Sequence, residues 1–157
     1  MADSGRKRIC SNRKARYEYR IEETVEAGLV LRGPEVKSLR AGRAHLKDAY
    51  ARVKGGEIYL VKAYIAPYEQ AHRENPDPER ERKLLLHRRE IDRLAGRSRE
   101  RGFTLVPIEL YFSRGRAKVE LALARGKRSY DKRRDIATRE SELRMRRALR
   151  RERRHSG

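Results

Sequence analysis

The sequence predicts a mainly β domain, a small antiparallel barrel with short flanking helices and a basic C-terminal tail. Three observations predict it. Two segments read as tight β-hairpins. A third alternates apolar and polar residues at the period of a half-buried strand. The positive charge is concentrated at the two ends of the chain rather than spread along it.

The chain has 157 residues, the length of one domain, and 41% of them are charged against 37% hydrophobic. A core is affordable at this length but must be small. The formal net charge is +19. Residues 1–16 carry six Lys/Arg against one acid, residues 17–124 carry 22 against 17, and residues 125–157 carry 14 against five. A basic tail on a nearly balanced domain points to a polyanion. A membrane surface is the competing polyanion, but the tail offers only Ile136, Leu143, Met145 and Leu149 as large apolar residues, with no aromatic after Tyr130. That is too little for an interfacial helix, so no membrane partner is expected. The start, Met1 to Arg8, has no hydrophobic signal region, and the single cysteine, Cys10, has no internal disulfide partner. A cytoplasmic monomer is expected.

Taken in order, residues 1–13 are polar, basic and aperiodic, and predict a flexible leader. Residues 14–128 hold the barrel. From Tyr17 to Leu31 the residues Tyr17, Tyr19 and Ile21 alternate with Glu18, Arg20 and Glu22, which predicts a strand. Gly33-Pro34 breaks it, and proline is well placed to open a helix over Glu35–Ala41 that stops at Gly42. Ala49–Val53 and Glu57–Val61 flank Lys54-Gly55-Gly56, a hairpin signal. Residues 66–82 read as a Pro-rich charged loop. Lys83–Leu86 is a short apolar run, and His87–Arg101 has the spacing of a helix with Ile91, Leu94, Ala95 and Ser98 on one face. A second hairpin turns at Ser113-Arg114-Gly115. Its first strand would place Val106, Ile108, Leu110 and Phe112 on one face, and its second Val119, Leu121 and Leu123. Pro107 inside the first strand implies an edge or a bulge. Five or six such strands close most readily into a barrel of the oligonucleotide-binding type. Residues 129–157 form the tail, predicted disordered when free and helical once its charge is neutralised.

Chemistry-bearing clusters follow. Asn12-Arg13-Lys14-Ala15-Arg16-Tyr17-Glu18-Tyr19 mixes cations with rings on which unpaired bases stack; a disordered basic leader running into a strand whose tyrosines pack on the barrel is the alternative. On the predicted helix, Lys37 and Arg40 lie three apart as phosphate contacts, with Glu35 an acceptor for base or ribose donors; a solvated helix face is the alternative. Arg82 and Lys83 offer a further phosphate contact or a solvated loop. Gly126 could let backbone approach RNA or simply let a strand exit. His45, His72, His87 and His155 show no metal-ligand spacing, and the sequence contains no phosphate-cradling GxxxxGK[ST] and no GxSxG nucleophile turn. Neither an enzyme nor a metal or other cofactor is expected.

Read together, the stretches Asn12–Arg16, Glu26–Gly28, Glu35–Gly42, Pro67-Tyr68, Asp77-Pro78, Arg82–Leu86, Leu105–Pro107, Leu110–Phe112, Lys118–Lys127 and Asp131–Arg133 resemble the small protein B (SsrA-binding) family, in family order across residues 12–135. The resemblance implies an oligonucleotide-binding barrel that binds the tRNA-like domain of tmRNA and delivers it to stalled ribosomes for trans-translation. The tail would enter the decoding centre and empty mRNA channel of the small subunit. A generic structured-RNA-binding or ribosomal protein is the alternative. Carried over by position, RNA contacts fall on Asn12, Arg13, Arg16, Tyr19, Glu35, Lys37, Ser38 and Arg40, with Arg82, Lys83, Gly126 and Lys127 as further candidates. Asp131, Lys132 and Arg133, with Tyr130 before them, fall on the decoding-site motif. Tyr17 stands where the family often has His, retaining a stacking ring but no cation, and Pro34 where it often has Thr or Ser.

Overall fold

In the computed structural model, residues 5–100, 102–126 and 139–151 are described. The chain forms two compact units, Met1–Gly126 and Lys127–Gly157.

The first unit is built on nine strands and three helices. These are β1 (Arg6–Ser11), α1 (Arg13–Glu18), β2 (Tyr19–Leu29), α2 (Gly33–Arg40), β3 (Ala44–His45), β4 (Tyr50–Lys54), β5 (Glu57–Val61), β6 (Tyr64–Ile65), β7 (Arg82–Leu85), α3 (Arg88–Ser98), β8 (Phe103–Ser113) and β9 (Arg116–Gly126). A 3-10 turn, Glu69–Glu74, lies between β6 and β7. The main sheet runs β1-β8-β4-β5-β7-β2-β9, and β9 pairs back on β8. Six strands therefore close into an antiparallel barrel of the predicted oligonucleotide-binding kind, with β1 added outside β8. Closure leaves the barrel strands no open edge. β3 and β6 form a separate two-stranded ribbon.

The two predicted hairpins are β4–β5 and β8–β9. Gly55 and Gly56 have φ of 59° and 76°, and Arg114 and Gly115 have φ of 53° and 77°. Two consecutive left-handed residues give the turn whose twist matches paired strands. The main core gathers Leu39, Leu46, Ile58, Leu60, Leu84, Ile91, Leu94, Leu105, Leu110, Leu121 and Leu123. A second cluster joins Ala15, Val106, Ile108, Ala122 and Ala124.

Three expectations are corrected. Part of the leader is a strand: β1 pairs with β8 from Arg6↔Ser113 to Ser11↔Glu109. Its charges are matched across the sheet, with Arg6 3.1 Å from Glu109 and stacked on the Tyr111 ring at 3.8 Å. Ile9 and Cys10 pack against the core. No local periodicity announces a strand whose partner lies about a hundred residues away. Second, Tyr17 is on a helix. Asn12 caps α1 by accepting from the Ala15 N–H at 3.2 Å, so the strand starts only at Tyr19. Third, the face predicted for β8 is split. A register shift between Pro107 and Glu109 is the bulge that proline implied. It inverts the alternation, sending Leu105 and Leu110 to the main core but Val106 and Ile108 to the second cluster.

In the second unit, residues 139–151 are helical and wholly exposed. Disorder was expected for the free tail; arginine and alanine favour this helix, and Glu140 pairs with Arg144 one turn on.

Candidate nucleic-acid interface

The predicted cluster on α2 divides into an interior and an exterior. Glu35 is 2% exposed and Arg82 is wholly buried. The carboxylate accepts from the Arg32 N–H at 2.9 Å, from Arg80 at 2.6 Å and from Arg82 Nε at 2.6 Å. The two terminal nitrogens of Arg82 donate to the carbonyls of Ala63 and Pro78. Burial alone pushes the Glu35 carboxyl up, but the hydrogen bonds from Arg80, Arg32 and Arg82 outweigh it and hold the group below its ordinary value. Burial pushes the Arg82 guanidinium down although Glu35 opposes that shift. Ser38 is also interior, at 1% exposure. Glu35, Ser38 and Arg82 are therefore turned into the fold rather than onto its exposed surface. Glu35 and Arg82 join α2 to β7 and to the loop before it. Lys37 and Arg40 are exposed, and Lys37 lies over the Tyr68 ring at 5.2 Å.

The second predicted cluster is brought to the end of the barrel. Asn12 donates from Nδ2 to the Pro107 carbonyl at 3.1 Å, while its backbone N–H donates to Ile108 at 2.7 Å. With its Oδ1 on Ala15, the side chain is committed at both ends, so Asn12 positions α1 on the β8 bulge, and it also lines the cleft beside α1. Ala15 is buried, and Arg13 and Arg16, one turn apart, are exposed. Tyr17 and Tyr19 are half-buried. Tyr19 pairs with Gly126 across β2 and β9, so these two candidates meet. Tyr19 and Tyr50 line a cleft of about 290 Å³ beside α1. Lys83 is half-buried on β7, 3.9 Å from Glu57.

A third site escaped the sequence reading. A cleft of about 580 Å³ opens across β2, β7 and β9. Its centre is one transverse row, because Gly28 pairs with Leu85 on one side and Lys118 on the other. Leu85 is 53% exposed, in a protein that buries most of its leucines. A Cβ on Gly28 would lie 3.3 Å from the Leu85 Cβ, so the bare backbone makes room for that side chain. Glu26 accepts from the Tyr111 hydroxyl at 2.5 Å and lies 4.0 Å from Lys118. Arg116 extends the basic wall. An apolar floor beside oriented donors and acceptors suits a base with its ribose and phosphate. The sequence signal was the run Leu84-Leu85-Leu86: strand alternation must turn its middle member away from the core.

Burial pushes the Cys10 thiol up to about 11, so it is a poor nucleophile. Among the described residues no group of His, Cys, Asp and Glu could hold a metal ion. Lys127, Tyr130, Asp131, Lys132 and Arg133 lie outside the described residues.

Comparison with known proteins places the chain in a family. The SmpB protein family model matches residues 9–151. An SsrA-binding protein of Desulforudis audaxviator (strain MP104C) is 59% identical over 150 residues, covering 96% of this chain and 98% of its own. One from Symbiobacterium thermophilum (strain DSM 24528 / JCM 14929 / IAM 14863 / T) is 62% identical over 143 residues, 90% of each chain. Among solved structures, a chain described as "tmRNA-SmpB: a journey to the center of the bacterial ribosome" superposes with a TM-score of 0.65 at 54% identity, covering 76% of this chain and 84% of that one. With a barrel of the fold expected for that family, and its motifs in register along nearly the whole length, this chain belongs to the SmpB family.

Proposed function

We propose that this chain binds the tRNA-like domain of tmRNA and delivers it to stalled ribosomes for trans-translation. The observation that carries the reading is near-full-length identity to proteins named for binding SsrA, the tmRNA. The structure supplies surfaces that suit it. The Glu26–Gly28–Leu85–Lys118 cleft offers a ring-sized apolar floor between charges. Arg13, Arg16, Tyr19 and Gly126 form a cationic and aromatic end, and Lys37 and Arg40 a cationic face on α2. The protein acts by binding and positioning RNA rather than by chemistry of its own, and a ribosome-bound role places it in the cytoplasm.

The tail has a separate task. Tyr130, Asp131, Lys132 and Arg133 contact the decoding centre, and the arginine-rich helix beyond them follows the empty mRNA channel. A narrow RNA-walled passage neutralises the repulsion between its arginines. Sequencing the RNA that copurifies with the full chain from its native host tests the reading. A single species with a tRNA-like end is the expected result; a mixture of ribosomal RNAs would instead favour a general structured-RNA binder.

A further inference from the structure

We infer that the β3–β6 ribbon is an additional RNA contact, in which an unpaired base stacks on the outer face of His45. The inference rests on the chain being an RNA binder and goes beyond the surfaces above. His45 and Tyr64 are paired across the ribbon. Their rings stack with centroids 4.7 Å apart and planes 13° from parallel. Tyr64 is half-buried and His45 exposed. One face of the imidazole is therefore covered by the phenol ring and the other meets solvent. A column of two parallel rings ending in an open π face is a platform for a third ring, and nucleobases stack on such platforms with little regard to sequence.

The ribbon is anchored on one side and charged on the other. Leu46, Ala63, Ile65 and Ala66 are buried. The Ala66 N–H donates to the Arg43 carbonyl at 2.9 Å, which extends the pairing beyond the two-residue strands. Strand alternation then places Arg43, His45 and Lys47 on the outer face, and all three are exposed, as is Lys62. Between residues 43 and 47, and between 61 and 65, there is no acid. The nearest carboxylates in sequence are Asp48, Glu57 and Glu69, the last 3.8 Å from Arg43 and itself 79% exposed. Lys62 keeps a left-handed backbone, with φ of 62°, where glycine would be unstrained. Cations on both sides of an open ring face match a nucleotide that presents its base to the ring and its phosphates to the flanks. A phosphate-only surface would have no use for the stacked pair.

The protein contains no tryptophan, so a full-length His45→Trp variant carries a single tryptophan, excited apart from the tyrosines, at the outer position of the stack. Single-stranded poly(A) should quench this emission by about half or more, and the poly(A)·poly(U) duplex at equal phosphate concentration should not, because its bases are held in pairs and are not free to leave the helix for the ring. His45→Ala/Tyr64→Ala should weaken poly(A) binding at physiological salt about fivefold or more. His45 is exposed, and Tyr64, though half-buried, belongs to neither core cluster, so neither variant opens the core; circular dichroism confirms the fold. No quenching by either polymer, or equal quenching by both, overturns the stack. Loss of the wild-type preference for tmRNA over other RNAs of its length would instead undo the proposed function, and leaves the quenching result to be judged by itself.

Discussion

Glu35 shows how one carboxylate changes meaning with its surroundings. On an exposed helix it would be an acceptor for RNA donors, but here it closes the start of α2 and holds two arginines inside the fold. Removing one partner of a buried ion pair leaves the other charge uncompensated, which costs roughly 3–5 kcal/mol. Glu35→Gln should lose stability near that range in urea unfolding at neutral pH. Its folded carboxyl is held below the ordinary value near 4.5. The stabilisation is thus present above that value and lost as pH falls through the depressed one, so wild type and variant should converge in strong acid. A Glu35→Gln protein as stable as wild type but deficient in RNA binding would restore a direct contact. Leu85 is the opposite case. It is more than half exposed, so Leu85→Ala should leave the fold nearly unchanged. Losing about 1.5 kcal/mol of apolar burial against a base should weaken tmRNA binding about tenfold. Unchanged affinity in a filter-binding titration would remove the cleft from the interface.

At the scale of elements, α1 and the β8 bulge act as one device. Pro107 stands at the register shift of β8, and its carbonyl accepts from Asn12 Nδ2. The same side chain caps α1, so the bulge orients Arg13 and Arg16. Asn12→Ala loses a cap and an anchoring bond, worth together about 1–2 kcal/mol. It should lower the unfolding free energy by that amount and weaken RNA binding through misplacement of the helix. Asn12→Asp keeps the cap acceptor but cannot donate to Pro107, so it should restore part of the stability. If it also restores full RNA affinity, the bond to the bulge has no part in placing α1. The bulge was legible in the sequence from one proline. Its effect on α1 was not, because Asn12 and Pro107 meet only when β1 has paired with β8.

For the whole molecule, charge and structure divide the work. The barrel unit holds the built surfaces, and the second unit is cation-rich with an exposed helix. Deleting residues 131–157 should leave affinity for the isolated tRNA-like domain within about tenfold, roughly 1.4 kcal/mol, at 150 mM salt or above, where nonspecific attraction is screened. The same deletion should abolish tagging on stalled ribosomes. A charge-preserving scramble of those residues separates positioned contact from electrostatic tether: full tagging by the scramble would eliminate the positioned reading of Asp131, Lys132 and Arg133.

What the amino-acid sequence determined by itself is what local rules encode. Gly55-Gly56 and Arg114-Gly115 specify tight turns. The alternation of Val119, Leu121 and Leu123 specifies a strand with one buried face, Gly33-Pro34 starts a helix, and Pro107 announces an edge or a bulge. Each depends on neighbours a few residues away, so each is visible in a short window. Tertiary structure alone decided which polar residues are inside. Glu35 and Arg82 are 47 residues apart, and nothing local distinguishes their interior pairing from two solvated charges. The same holds for β1, whose register comes from β8, and for the cleft, whose row Lys118–Gly28–Leu85 is assembled from three strands. Burial and cross-strand adjacency are properties of the closed barrel. They arise only when distant segments pair and exclude water together.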